Sequence, residues 1–225
     1  HIVVPEGGKN YVALDMIMDR IQRHLKETEE NAPLYYKVNR DLAVELAKKA
    51  KTEGVSQFVF MSSMSVYGMD SGVINPDTKP VPVTHYGKSK LEAEAALTEL
   101  LEDSFAVAIL RPPMIYGPKS KGNYPLLAKF AKKTPIFPTL RNERSMLYID
   151  NLNEFLRLTM EKEAVGIFCP QNAEFVNTSE MVTAIRKSYG KKGVTIPGFG
   201  WLLNLLAGKI NLFAKVFGTL TYDKS

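Results

Sequence analysis

Cysteine is nearly absent from this sequence, with Cys169 the single one among 225 residues. One thiol excludes an internal disulfide, and no Cys and His spacing typical of a metal site is present, so we expect no bound metal. A chain with so little cysteine is typical of a reducing compartment. We interpret Cys169 as a buried structural thiol.

Long apolar runs are missing as well. The longest stretch without charge, residues 194–208, is interrupted by proline and glycine. It is shorter than the roughly 20 apolar residues that a membrane-spanning helix needs. No basic segment followed by an apolar one, the mark of a secretory signal, is visible at the start. These observations predict a cytoplasmic protein with no membrane span.

The sequence also lacks an arginine-rich block, although its net charge is +5 and its pI is about 9.1. Acidic residues are interspersed with the lysines, and no RNA-binding signature is present, so we expect no nucleic-acid partner. The excess of positive charge indicates an anionic small substrate instead. With 45% hydrophobic residues the chain can bury a sizeable core.

Short runs rich in β-branched and aromatic residues alternate with longer segments of helical periodicity. This alternation predicts an α/β fold, a Rossmann-like doubly wound parallel sheet flanked by helices. The predicted strands are HIVV, YVALDM, QFVFMSS, FAVAILRP and GIFCP. The predicted helices are PLYYKVNRDLAVELAKKAKTEG, YGKSKLEAEAALTELLED, NYPLLAKFAKK, IDNLNEFLRLTMEK and NTSEMVTAIRKSYGKK.

Detailed features of two helices follow from the same patterns. In the first helix, Leu42, Leu46 and Ala50 recur at helical spacing and are expected to face the core. In the last, Thr178 or Ser179 is expected to cap the N-terminus, since short hydroxyl side chains favour that position.

Tyr86 and Lys90 stand four residues apart in the segment THYGKSK, so a helix would place both on one face. An ammonium near a phenol favours the phenolate, and lowering a tyrosine pKa from about 10 toward 7 needs roughly 4 kcal/mol. The product would be a general base poised near neutral pH. A chain with this much Tyr and Lys contains about one such pair by chance, so the context must decide.

Three further segments supply that context. Ser62, Ser63 and Ser65 follow a predicted buried strand, and ligands of open α/β sheets bind at the carboxyl ends of strands. Serines also end many strands without any function. The segment RPPMIYGP follows the next strand and forms a loop that prolines stiffen. Arg144, before YIDNL, has the planar fork that suits a phosphate.

In this order and at these separations, the four segments resemble the extended short-chain dehydrogenase/reductase family, and most closely its NAD-dependent sugar-nucleotide epimerases. The resemblance covers residues 30 to 190, and its motifs are jointly specific although each is weak alone. It implies NAD as cofactor, a UDP-sugar or other nucleotide sugar as partner, and a role in polysaccharide biosynthesis. It also implies a homodimer paired through helices at residues 33–53 and 85–102.

The resemblance implies a role for each matched position. Tyr86 resembles the acid/base, Lys90 the residue that holds the nicotinamide ribose, and Ser63 the hydroxyl that bonds the reacting sugar oxygen. The remaining positions are expected to contact cofactor or substrate. Cofactor-binding candidates are Asp15, Asn39, Ser62, Tyr86, Lys90 and Pro113, and substrate-binding candidates are Ser63, Ser65, Met114, Asn123 and Arg144.

The residues after Ser63 bear on the reaction. Related dehydratases carry an Asp-Glu pair there to eliminate water, whereas this chain has Met64 and Ser65. Hydride transfer at the sugar C4 therefore remains, as in a 4-epimerase. A 4-keto reductase needs only one of the two hydride steps and stays an alternative. Met114 stands where the family has a sugar-contacting Asn, so the resemblance leaves the sugar open.

The family's G-x-x-G-x-x-G loop has no counterpart in this sequence. Gly7 and Gly8, in PEGGKN, are not that fingerprint, and HIVV passes to YVALD with no helix between. An incomplete or internally deleted sequence, a catalytically silent binding relative, and an altered phosphate loop are three competing explanations. Residues 1–118 and 146–170 are expected to form the NAD-binding core, and residues 119–145 and 171–225 a smaller sugar-nucleotide lobe.

Overall fold

The fold is known from a computed structural model, which describes residues 2–3, 11–14, 28–118, 123–198 and 218–224. Six helices and eleven strands lie in these ranges. The strands are β1 (Ile2–Val3), β2 (Tyr11–Leu14), β3 (Gln57–Met61), β4 (Gly72–Ile74), β5 (Ala106–Leu110), β6 (Met114–Tyr116), β7 (Ile136–Pro138), β8 (Met146–Tyr148), β9 (Gly166–Phe168), β10 (Val194–Ile196) and β11 (Leu220–Tyr222). The helices are α1 (Ala32–Tyr36), α2 (Leu42–Thr52), α3 (His85–Thr98), α4 (Asn123–Lys133), α5 (Ile149–Glu161) and α6 (Thr178–Ser188).

The chain packs into two compact units. The first comprises residues 1–68, 78–113 and 152–170, and the second comprises residues 69–77, 114–151 and 171–225. Among the described residues, no helix is long and apolar enough to cross a membrane. The same ranges contain no group of three or more His, Cys, Asp or Glu side chains that could hold a metal ion.

The first unit is built on a five-stranded sheet in the order β1-β2-β3-β5-β9. Pairing is parallel from β2 to β9, and β1 pairs antiparallel with β2, so the interpretation of HIVV as a first parallel strand is wrong. All five residues of β3 are buried, as is typical of a central strand in a parallel sheet. The predicted α/β fold with its parallel sheet is otherwise confirmed.

Helices α2 and α3 share a core with one face of this sheet. Small side chains, Ala43, Ala47 and Ala93, pack against Phe58 and Phe60 of β3. Of the residues expected to face the core, Ala50 is buried and Leu46 packs against the core, whereas Leu42 is 37% exposed and that part of the prediction is wrong. Alanine rather than leucine faces the sheet because it lets the helix backbone approach closely.

The second unit contains three two-stranded parallel sheets, β7 with β10, β4 with β11 and β6 with β8. Its core packs α4 against α6 through Leu127, Ala131, Val182 and Ile185, together with Phe137. Asn177 caps α6, since its side chain accepts from the backbone N–H groups of Ser179 and Glu180. The predicted Thr178 or Ser179 cap is therefore wrong: both residues are already inside the helix.

Candidate active site

A short hydroxyl-rich turn follows the carboxyl end of β3. Ser63 has extended backbone angles and caps a single 3₁₀ turn at residues 64–67, where its Oγ accepts from the Ser65 backbone N–H at 3.1 Å. Ser63 is half-buried and Ser65 is exposed. The turn ends at Gly68, which has a φ of 66°. A Cβ added at this position would lie 2.0 Å from the Val81 carbonyl oxygen, so both the backbone angle and the space require glycine.

Helix α3 starts beside this turn. Thr84 caps it by accepting from the Gly87 backbone N–H at 3.1 Å. A Cβ on Gly87 would lie 2.7 Å from the Ser65 carbonyl oxygen, so only glycine lets the helix approach this closely. The first turn of α3, which carries Tyr86, therefore lies against the hydroxyl-rich turn.

Lys90 connects α3 to the end of β3. The side chain is buried, with the residue 4% exposed, and its Nζ donates to the Met61 carbonyl oxygen at 2.7 Å. The ammonium lies 4.6 Å from the centre of the Phe60 ring and 5.9 Å from that of the half-buried Tyr86 ring. Both aromatic rings thus lie near one buried positive charge.

Asn39 also contacts α3, through a hydrogen bond to Ser89. It lies in a π-helical segment, Lys37–Asp41, between α1 and α2, a feature frequent at functional sites. Its Nδ2 donates to Ser89 Oγ at 2.9 Å, and Ser89 Oγ donates to the Tyr86 carbonyl oxygen at 2.9 Å. The Asn39 Oδ1 is buried and has no hydrogen-bond partner within the part of the chain that the structure describes. A donor from a bound molecule would satisfy this oxygen.

A buried ion pair lies beneath the turn, and sequence reasoning gave its members no role. Arg111 donates to both carboxylate oxygens of Glu94, with Nη2 at 2.5 Å from Oε2. Its Nη1 donates to the Tyr67 hydroxyl at 2.9 Å. Glu94 could have been noticed, because it follows Lys90 by four residues and so shares the face of Tyr86.

Two pKa values in this ion-pair cluster are displaced from their ordinary range. Burial raises the pKa of Tyr67 more strongly than the Arg111 hydrogen bond lowers it. Burial opposes the charge of Arg111, but the hydrogen bond and the charge of Glu94 together hold the Arg111 pKa above its ordinary value. Arg111 is consequently a permanent cation in the core of the first unit.

Arg144 belongs to the second unit and is 7% exposed. Its Nη1 donates to the Gly218 carbonyl oxygen at 2.7 Å, whereas its buried Nε has no partner among the described residues. Burial lowers the pKa of Arg144 to about 10, with the charge of Asp70 acting in the opposite direction. A buried guanidinium with an unused donor is suited to an anionic ligand.

The other predicted site residues are placed as follows. Ser62 is buried directly after β3, and Pro113 is buried in the loop after β5, next to Pro112, whose carbonyl accepts from the Met64 backbone N–H at 3.0 Å. Met114 begins β6 in the second unit and is half-buried. Asp15 lies outside the described residues, and of Asn123 the structure describes the backbone at the start of α4 but not the side chain.

Three described residues are candidates to hold the nicotinamide half of a dinucleotide. The buried Lys90 ammonium, the neighbouring Tyr86 and the unsatisfied Asn39 Oδ1 offer donors and an acceptor to a ribose and a carboxamide. For the pyrophosphate, the described residues contain no Gly-rich loop that opens a helix, and Gly7 and Gly8 lie outside them. The fit therefore concerns the nicotinamide and its ribose.

Comparison with known proteins places the chain in a family. The sequence profile of the NAD dependent epimerase/dehydratase family matches residues 11–168. The chain belongs to this family. The match includes the hydroxyl-rich turn, Tyr86, Lys90 and Asn39, and it confirms the resemblance and the family's cofactor, NAD.

Two relatives and one solved structure illustrate the similarity. The chain is 33% identical over 216 residues to UDP-glucose 4-epimerase of Vibrio cholerae, covering 90% of this chain and 66% of that protein. It is 32% identical over 168 residues to N-acetyl-alpha-D-glucosaminyl-diphospho-ditrans,octacis-undecaprenol 4-epimerase of Escherichia coli O157:H7, covering 71% and 50%. UDP-glucuronic acid 4-epimerase from Bacillus cereus, solved in complex with NAD, superposes with a TM-score of 0.66 at 19% identity, covering 89% and 63%. The chain thus spans between half and two thirds of these proteins' lengths.

Proposed function

We propose that this protein is an NAD-dependent epimerase that inverts C4 of a nucleotide sugar, a UDP-hexose. The observation that carries the proposal is that the buried Lys90 ammonium lies 5.9 Å from the centre of the Tyr86 ring, on the helix that packs against the turn that Ser63 caps. Ser63 Oγ accepts from the Ser65 N–H at 3.1 Å, and Lys90 Nζ donates to the Met61 carbonyl oxygen at 2.7 Å. The relative with the larger coverage, at 33% identity, is named a UDP-glucose 4-epimerase.

Each of these side chains takes part in proton transfer or binds the reacting sugar oxygen. Tyr86 takes the proton from the sugar 4-hydroxyl and later returns it, and the buried Lys90 ammonium stabilises the phenolate that this requires. Ser63 holds the reacting sugar oxygen by a hydrogen bond. A bound NAD would supply the chemistry of hydride removal from C4 and hydride return to the opposite face. Lys90, Tyr86 and Asn39 would hold its nicotinamide ribose.

The diphosphate of the substrate is the group through which we propose that the protein recognises it. Arg144 offers a buried charge and an unused Nε donor, which a diphosphate would satisfy. Met114, Asn123 and Ser65 are proposed to contact the sugar or its carrier. The lipid diphosphate in the name of the Escherichia coli relative contains the same anion, so a polyprenyl diphosphate sugar is the substrate to compare with UDP-hexoses.

Two other functions are separable from this one. A nucleotide-sugar 4-keto reductase uses the same groups for a single hydride step, and it would consume a reduced cofactor in proportion to product. A catalytically silent binding relative would retain nucleotide sugar without converting it. Dehydration is disfavoured because Met64, which is buried, and Ser65 supply no carboxylate.

The deciding experiment is an assay of the chain with millimolar NAD and UDP-galactose, with the sugar product identified by chromatography. We expect UDP-glucose to form with no net change in the ratio of NADH to NAD. Stoichiometric oxidation of added NADH by a 4-keto sugar, with no epimerisation, would favour the reductase. Binding of UDP-hexose without product in either assay would favour the silent relative. Conversion of the lipid diphosphate sugar alone would reassign the substrate.

A further inference from the structure

The Glu94–Arg111 ion pair of the first unit takes no direct part in the proposed proton and hydride transfers. Glu94 is 3% exposed and Arg111 is 7% exposed, so water does not solvate either charge well. Glu94 lies two helical turns after Tyr86 and one turn after Lys90, on the same face of α3. The catalytic face of the helix therefore continues into this ion pair.

The carboxylate of Glu94 joins the ends of two strands to the helix. Its Oε1 accepts from the hydroxyl of Ser62, the residue after β3. Both of its oxygens accept from Arg111, the residue after β5. Lys90 makes the equivalent contact one turn earlier, to the carbonyl oxygen of Met61. Successive turns of α3 thus hold successive residues of the β3 end.

Arg111 also reaches the far end of the hydroxyl-rich turn. Its Nη1 donates at 2.9 Å to the hydroxyl of Tyr67, the last residue of the 3₁₀ turn. The segment from residue 62 to residue 67 is therefore fixed at both ends by one ion pair. Ser63 lies between these two anchors, and its side chain is only half-buried, so packing alone does not define its position.

A buried ion pair is weak evidence for stability. Apolar side chains of similar volume often replace such a pair with no loss of stability, although removing a single partner leaves an uncompensated buried charge. A pair that contacts both ends of a catalytic turn has a geometric consequence that apolar side chains cannot reproduce.

We propose that Glu94 and Arg111 are positioning residues that fix the turn at residues 62–67 and so set the place of the Ser63 hydroxyl. Their effect on the reaction rests on the proposed function, whereas their effect on the turn does not. Glu94 acts through Ser62 and Arg111 acts through Tyr67, and neither needs to touch the substrate.

Tyr67→Phe and the double variant Glu94→Leu/Arg111→Met test this inference in the whole chain. The first removes one anchor and keeps the ion pair, and the second removes both charges together. Glu92→Gln is the matched control, because Glu92 lies on the same helix but pairs with Arg40 at the surface, at 2.6 Å. Amide hydrogen exchange of residues 63–68 and the thermal midpoint are measured for each, followed by kcat and KM.

In the double variant we expect exchange of residues 63–68 to accelerate about tenfold or more, while amides of β3 and β5 stay protected. With the thermal midpoint close to that of the parent, kcat should fall about tenfold or more and KM should change little, as for a misplaced transition-state contact. Tyr67→Phe should show smaller changes of the same kind, and Glu92→Gln none.

Unchanged exchange at residues 63–68 in both Tyr67→Phe and the double variant would overturn the inference, whatever the activity. If the double variant does not fold, Tyr67→Phe alone decides through the same exchange measurement. If the parent chain shows no turnover but exchange at residues 63–68 is accelerated in the variants, the result supports the positioning role and counts against the proposed function.

Discussion

Gly87 approaches Ser65 so closely that a Cβ on residue 87 would lie 2.7 Å from the Ser65 carbonyl oxygen. In an exposed helix, Gly→Ala stabilises by roughly 1 kcal/mol because alanine favours helix. Here the added methyl must push α3 away from the hydroxyl-rich turn. Because of this contact, we expect Gly87→Ala to lower stability, whereas helix propensity alone would predict an increase.

Gly87→Ala should lower the thermal midpoint by about 3–10 °C, from an overpacking penalty of roughly 1–3 kcal/mol. Turnover should fall by more than the change in stability explains, because Tyr86 moves with the helix. Lys88→Ala, an exposed neighbour on α3, is the control and should leave both quantities unchanged. A Gly87→Ala protein as stable and active as the parent would show that the helix and turn do not need this contact.

Arg144 provides a second prediction, in which stability and binding change in opposite directions. Burial lowers its pKa to about 10, well below the ordinary value for arginine, so the folded state disfavours the cation at every pH below about 10. This penalty is relieved only as the pH rises from about 10 toward the ordinary arginine pKa. At pH 7 the penalty is about 3 kcal/mol, partly offset by about 1 kcal/mol from the Gly218 hydrogen bond.

Arg144→Met should therefore stabilise the ligand-free chain by about 1–2 kcal/mol and weaken UDP binding at least about tenfold. Denaturant unfolding and titration calorimetry measure the two effects. Arg141→Met, the change of a nearby exposed arginine, should do neither. Lower stability together with unchanged UDP affinity would refute the assignment of Arg144 to an anion.

The proximity of several candidate site residues could be predicted from the sequence, because these residues lie close together along the chain. Tyr86 and Lys90 are four residues apart on one helix, and the serines follow directly after a buried strand, so helix geometry and strand polarity brought them together. Glu94 and Arg111 were given no role because their partner contacts join segments 17 residues apart in sequence. Periodicity also could not show that alanines rather than Leu42 face the sheet, since the closeness of α2 depends on tertiary packing.

Cofactor affinity is the subject of the third prediction. The family binds the pyrophosphate with backbone N–H groups and a helix N-terminus, contributions of roughly 1 kcal/mol or more each. No G-x-x-G-x-x-G sequence occurs in these 225 residues, so we expect NAD to bind them more weakly than micromolar, since each 1.4 kcal/mol is tenfold in Kd. Calorimetry that gave a micromolar or tighter Kd would instead make PEGGKN a working phosphate loop.

The fourth prediction concerns the oligomeric state. We expect a homodimer paired through the helical segments at residues 33–53 and 85–102, the second of which contains α3, as the family resemblance implies. The mass of one chain is 25.2 kDa, and light scattering at tens of micromolar should give twice that mass. A single 25.2 kDa species at that concentration would count against the pairing.

Tyr86 is the residue on which the proposed reaction depends most, because it moves the proton. Its most direct test is the conversion of UDP-galactose by the parent chain and by Tyr86→Phe, both at millimolar NAD, with UDP-hexose binding measured in parallel. Because Phe lacks only the ionisable oxygen, we predict that turnover in Tyr86→Phe is lost while substrate binding is retained. Turnover in Tyr86→Phe equal to that of the parent would contradict the assignment.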